Sequence, residues 1–118
     1  MHNFRELKVW QRGMEIVVNV CSLIDNFPDS EKYGLASQIK RCSVSIPSNI
    51  AEGSGRNTPN DFAHFLNISI GSSNELETQL IIAGKLGFIS NTEIERLISE
   101  INEFQKMTRK LISTVRAV

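Results

Sequence analysis

Residues 38–56, QIKRCSVSIPSNIAEGSGR, join a helical apolar spacing to an internal proline and a glycine-rich stop. Ile39, Ser43, Ile46 and Ile50 recur at steps of three and four, which places them on one face of a helix. Pro47 stands inside that pattern. A proline there removes a backbone donor and costs about 3 kcal/mol unless a kink or packing absorbs it. A helix that keeps one is therefore shaped by its neighbours. Gly53-Ser54-Gly55 then reads as the stop, with glycine free to adopt positive φ.

Outward from this stretch, the periodicity predicts four helices, at 5–26, 31–52, 59–86 and 91–117. The first carries two apolar stripes side by side. Leu7, Trp10, Met14, Val17, Cys21 and Ile24 form one; Val9, Ile16, Val20, Leu23 and Phe27 form the other. A single stripe suffices for a monomer, so the second predicts a face toward another subunit, and Val9, Ile16, Val20 and Leu23 are expected there. Asn26-Phe27-Pro28-Asp29-Ser30 is a turn that ends in a helix cap. The second helix buries Leu35, Ile39, Cys42, Ile46 and Ile50, flanked by the small residues Ala36, Ser43, Ser45 and Ala51.

Thr58-Pro59-Asn60-Asp61 starts the third helix, with threonine as cap and proline at the first helical position. Phe62, Phe65, Leu66, Ser69, Ser73, Leu76, Leu80 and Ala83 point inward, and Gly87 ends it. Ser90-Asn91-Thr92-Glu93 is a capping box for the fourth. There Ile94, Leu97, Ile101, Phe104, Thr108, Leu111, Val115 and Val118 continue a three–four alternation. The expected core joins Trp10, Met14, Leu35, Ile39, Leu76, Leu80, Ile101, Phe104 and Leu111. Four long helices with short loops predict an all-α, antiparallel up-down-up-down four-helix bundle as a single domain over residues 1–118.

Composition narrows function more than it defines it. Thirteen basic and thirteen acidic residues leave a formal net charge of zero, which argues against a strongly basic nucleic-acid binder while leaving room for a local patch. No apolar run reaches the ~20 residues of a membrane span, and MHNFRELK lacks a signal peptide's apolar region. A cytoplasmic protein with no membrane association is expected. Cys21 and Cys42 then read as reduced, buried thiols.

With those residues placed, the chain resembles the bacterial four-helix bundle proteins named for an open reading frame in 23S ribosomal RNA intervening sequences. The likeness begins at Phe4, Leu7, Val9, Trp10 and Gln11. It peaks at Tyr33-Gly34-Leu35, Gln38-Ile39, Arg41, Ser45-Ile46-Pro47 and Asn49-Ile50-Ala51-Glu52-Gly53, and it continues through Phe62, Phe65-Leu66, Gly71-Ser72, Glu75-Leu76, Gln79-Leu80 and Gly87. The resemblance implies a homopentameric ring. A related branch, the accessory protein of diversity-generating retroelements, implies contacts with nucleic acid and a reverse transcriptase. That branch leans on a basic surface, from which this neutral chain departs. For the ribosomal-RNA branch the resemblance carries no biochemical activity.

Charge placement is the main clue read from the residues themselves. In the expected bundle, Arg5, Lys8, Arg12, Arg56, Lys106, Arg109, Lys110 and Arg116 gather at one end. Asp25, Asp29, Glu31, Glu75, Glu77, Glu93 and Glu95 take the other. A basic end repeated around a ring can hold RNA or DNA phosphates. Helix-dipole complementation accounts for the cations ending the fourth helix, but not for Arg5, Lys8 and Arg12, which begin one.

Gly53-Ser54-Gly55-Arg56 can present backbone N–H groups to a phosphate or simply end a helix; a P-loop's lysine and spacing are absent. Gln38, Arg41, Ser45, Asn49 and Glu52 form a polar seam on the second helix. It reads as a groove lining or as a structural network, with Arg41 pairing Glu75 or Glu77. Asp61 and His64 alone approach a di-iron spacing, and His2 lies near the terminus, so no metal and no cofactor are expected. Arg56 and His64 do not fit the Arg–His spacing of small helical ribonucleases, and no serine or cysteine has a His–acid pair. The expectation is a non-enzymatic, self-associating scaffold with no small-molecule substrate. The alternative is a nucleic-acid-binding accessory module.

Overall fold

The computed structural model describes residues 3–118. They form four helices: α1 Lys8–Ile24, α2 Leu35–Ser54, α3 Pro59–Lys85 and α4 Asn91–Arg116, with short 3-10 turns at Phe4–Glu6 and Asp29–Glu31. No strand occurs among the described residues, and the molecule measures 47 × 23 × 20 Å. This is an all-α chain consistent with a four-helix bundle. Each helix has two neighbours: α1 and α3 both pack against α2 and α4, while the backbones of α1 and α3 do not approach each other.

The facing residues meet in reversed order. On α2 and α3, Cys42 meets Ser72, Ile46 meets Ser69, and Gly53 lies against Phe62 and Phe65. On α1 and α4, Arg12 meets Glu103 and Asn19 meets Glu100.

Two helix starts differ from the sequence expectation. Leu7 is extended (φ −72°, ψ 125°), so α1 begins at Lys8 rather than near residue 5. Gly34 (φ −105°, ψ −113°) separates the Asp29–Glu31 turn from α2, which begins at Leu35 rather than near residue 31. The caps of α3 and α4 form as their sequences predict. Thr58 Oγ1 accepts from the Asp61 N–H at 3.1 Å, and Ser90 Oγ accepts from the Glu93 N–H at 3.2 Å.

The core corrects the reading of α1. Val9, Ile16, Val20 and Leu23, expected at a subunit contact, are buried inside the protomer, with Ile16 and Val20 fully so. Met14, expected in the core, is exposed, and Trp10 is only half-buried. The reason is Gly13, which is buried and completes an alternating four–three series with Val9, Ile16, Val20, Leu23 and Phe27. A Cβ built at Gly13 lies 3.4 Å from Ile46 Cγ2 and 3.5 Å from Pro47 Cβ, so this face of α1 seats directly on α2. Pro47 is itself buried within α2, with its side chain packed against α1 at Gly13.

The glycine stop also works differently from the expectation. Among the described residues only Gly87 has positive φ, at 81°. Gly53 lies within α2 and serves close approach: a Cβ there would stand 2.6 Å from Phe65 Cβ and 3.3 Å from the Phe62 carbonyl.

Candidate functional site

The cations expected to act together divide into two groups. Arg12 Nη2 contacts Glu103 Oε1 at 2.9 Å, with Glu15 3.9 Å away. Arg56 Nη2 pairs with Glu52 at 3.3 Å, and its guanidinium lies 4.7 Å over the Phe65 ring centroid. These partly exposed pairs each contribute at most about 1 kcal/mol, yet they cancel local charge. Arg5, Lys8, Lys106, Arg109, Lys110 and Arg116 are exposed and belong to none of the three ion pairs among the described residues. Arg5 does lie over the Phe4 ring at 5.1 Å, and Phe4 packs edge-on to Trp10 at 5.4 Å.

The axial charge asymmetry is weaker than expected. Glu75 and Glu77 stand mid-way along α3 rather than at its end, while Lys85 ends α3 and Arg96 lies in the first turns of α4.

The glycine-rich loop does not form a phosphate cradle in this structure. The Gly55 N–H donates to the Glu52 carbonyl at 3.3 Å and the Arg56 N–H to the Gly53 carbonyl at 3.1 Å. Those donors close the end of α2 and do not face outward.

The polar seam is not an interhelical network either. Gln38, Arg41 and Glu52 are exposed. Ser45 Oγ donates to the Cys42 carbonyl at 2.6 Å and the Asn49 amide to the Ser45 carbonyl at 2.8 Å, both within α2. Arg41 pairs with neither Glu75 nor Glu77.

The polar contacts between helices involve Ser69 and Ser73, which the sequence places inward, and a set it did not single out: Gln105, Asn74, Asn19 and Glu100. Gln105, buried on α4, donates to Ser73 Oγ and Asn74 Oδ1, both at 2.8 Å. Ser69 Oγ donates to the Ile46 carbonyl at 2.8 Å, and Asn19 donates to both Glu100 carboxylate oxygens at 2.9 and 3.2 Å. Gln105 falls just outside the apolar stripe of α4, and only its flanking of Phe104 hinted that it was buried.

The remaining chemical candidates stand apart. Asp61 is exposed in the first turn of α3, and the exposed His64 ring stands edge-to-face with Phe65, their ring centroids 5.6 Å apart. His2 lies outside the described residues. Among those described, no group of three His, Cys, Asp or Glu side chains is placed to hold a metal. Cys21 and Cys42 are free thiols. Burial, with the Glu75 carboxylate adding to it, pushes the Cys42 thiol up to about 11, so it is protonated at neutral pH.

Two clefts sit at opposite ends of the molecule. One, of about 460 Å³, is lined by Asp25, Asp29, Lys32, Tyr33 and Lys40 among others. The second, of about 340 Å³, lies between the α2–α3 loop and the end of α4. Tyr33 and Val118 are exposed within these clefts, and other exposed apolar side chains lie outside them, among them Met14 and Val18 on α1 and Ile68, Ile81 and Ile82 on α3. No helix among the described residues is long and apolar enough to cross a membrane.

The comparisons with known proteins agree with this picture. The model of the 23S rRNA-intervening sequence protein family matches residues 5–110. A crystal structure of a protein of unknown function from the S23 ribosomal protein family of Bacteroides thetaiotaomicron superposes with a TM-score of 0.81 at 26% identity. The match covers 88% of this chain and 97% of that one. No curated protein matches.

Proposed function

Because the chain belongs to the family of 23S rRNA-intervening sequence proteins, we propose that it is a non-enzymatic scaffold, an antiparallel up-down-up-down bundle that assembles with its own copies. The reversed order of facing residues supports the topology. The observation that carries the assembly is the placement of two unlike apolar patches, Met14 and Val18 on α1 and Ile68 and Ile82 on one face of α3, on helices whose backbones do not approach each other. Patches on different sides of a protomer suit head-to-tail contact, which closes into a ring when the rotation allows. A pentamer is the ring the family resemblance suggests, in the cytoplasm.

Ile82→Asp is the test. Ile82 is 42% exposed, so the variant folds, and light scattering should show a smaller assembly than the parent. An unchanged mass with intact helicity would exclude the α3 stripe from the contact.

A second reading has its own observation, the unpaired cations Arg5, Lys8, Arg109, Lys110 and Arg116. In it the basic end holds RNA or DNA through phosphates, without base readout by those residues. Fluorescence anisotropy with an oligonucleotide across a salt series checks it. Binding should weaken steeply as salt rises; no binding at low salt leaves the scaffold alone.

A further inference from the structure

The cleft at the basic end has a feature that holding phosphates does not require. Its walls come from Arg56 and Asn57 in the α2–α3 loop, Phe62 on α3, and Leu111, Thr114 and Val115 on α4. The floor is apolar, since Phe62 and Val115 are buried and Leu111 is half-buried. The rim is polar. Thr114 Oγ1 donates back to the Lys110 carbonyl at 3.1 Å, which sets Lys110 one turn away on the same face of α4. Arg56 on the loop is the cation that lines the cleft, and Lys110 lies one turn along α4 from Thr114, next to the lining rather than in it. The Arg56–Glu52 pair joins two exposed groups and can exchange for a phosphate without burying a charge.

A volume of about 340 Å³ falls at the small end of ligand sites, large enough for one flat heterocycle. Apolar walls with Arg56 at the rim and Lys110 a helical turn beyond match the chemistry of a nucleotide in a single strand, whose base can leave the stack and whose phosphates lie on either side. A duplex keeps its bases paired and cannot offer one.

We propose that this cleft accepts one unpaired nucleobase of a single-stranded nucleic acid, with Arg56 and Lys110 holding the flanking phosphates. The Asn57 amide, which can both donate and accept, lies where it can meet the edge of the base. The proposal rests on the phosphate-holding reading, and the experiment separates the two.

Anisotropy at low salt compares a labelled deoxythymidine dodecamer with a dodecamer of abasic sugars, which keeps the phosphates and removes the bases. The expected result is at least tenfold weaker binding of the abasic strand. Thr114→Trp, at an exposed position that places an indole in the cleft, should lower the thymidine strand's affinity toward the abasic level, with helicity checked by circular dichroism. Equal binding of the two strands overturns the base slot and leaves the phosphate reading standing. Binding of neither strand overturns both. Displacement of the thymidine strand by dodecyl phosphate as readily as by free thymidine strand assigns the cleft to an acyl chain and overturns the proposal.

Discussion

Gly13 and Gly53 both sit in buried stretches of helix, yet they carry opposite expectations. At Gly13 an added methyl group meets Ile46 and Pro47 at ordinary contact distances of 3.4 and 3.5 Å. Gly13→Ala should therefore gain about 0.5–1 kcal/mol from helix propensity alone. At Gly53 the same methyl meets Phe65 Cβ at 2.6 Å and a backbone carbonyl at 3.3 Å, so α2 and α3 must part. Gly53→Ala should lose about 1–3 kcal/mol, the usual cost of overpacking. Urea denaturation of both variants decides the matter, and equal shifts of the same sign would contradict the packing described.

Cys42 offers a second test. Its Sγ lies 3.1 Å from the Ser72 carbonyl, and its raised pKa keeps the thiolate scarce. Iodoacetamide at pH 8 should modify half-buried Cys21 well before Cys42, followed by mass spectrometry. The lag should shrink as pH rises toward 11, because the deprotonated fraction grows tenfold per unit below the pKa. Equal rates in the folded protein at pH 8 would speak against the burial.

Among the elements, α1 shows where periodicity stops being decisive. Its apolar residues cover more than one stripe, and either stripe satisfies a helical repeat. Glycine carries no hydrophobic signal, so the series Val9, Gly13, Ile16, Val20, Leu23 reads as interrupted, while Leu7, Trp10, Met14 reads as continuous. Packing resolves this the other way, because the face that carries Gly13 seats on Ile46 and Pro47 of α2. Val20→Asp should therefore unfold the protomer, by placing an unpaired carboxylate at a fully buried site. Val18→Asp, at a residue 64% exposed, should leave helicity intact while lowering the assembly mass. Circular dichroism with light scattering distinguishes the two. A folded Val20→Asp of reduced mass would restore that stripe to the surface.

Across the whole molecule, neutral composition conceals an uneven surface. Arg12 and Arg56 are matched by Glu103 and Glu52, while Lys8 and Lys110 join no ion pair among the described residues. Lys8→Glu with Lys110→Glu should weaken oligonucleotide binding at least tenfold and flatten its salt dependence. Arg12→Glu alone mainly places a carboxylate against Glu103. If the Lys8/Lys110 double variant binds as the parent does, the basic end is not the contact surface.

The boundaries of α3 and α4 and the core of α2 were legible because each rests on a local rule. A capping side chain reaches a donor three residues away, and an apolar repeat needs only its own helix. The 3-10 turn before α2 was less legible, since Gly34 departs from helical geometry where the neighbouring residues favour it. Which stripe of α1 faces inward, which arginines lose their charge to a partner, and where Gln105 finds Ser73 and Asn74 depended on residues distant in sequence. Periodicity defines a face but not its neighbour; charge defines a sign but not a partner. Those choices are made when helices close to within a side chain's length of each other, and only the packed bundle contains that distance.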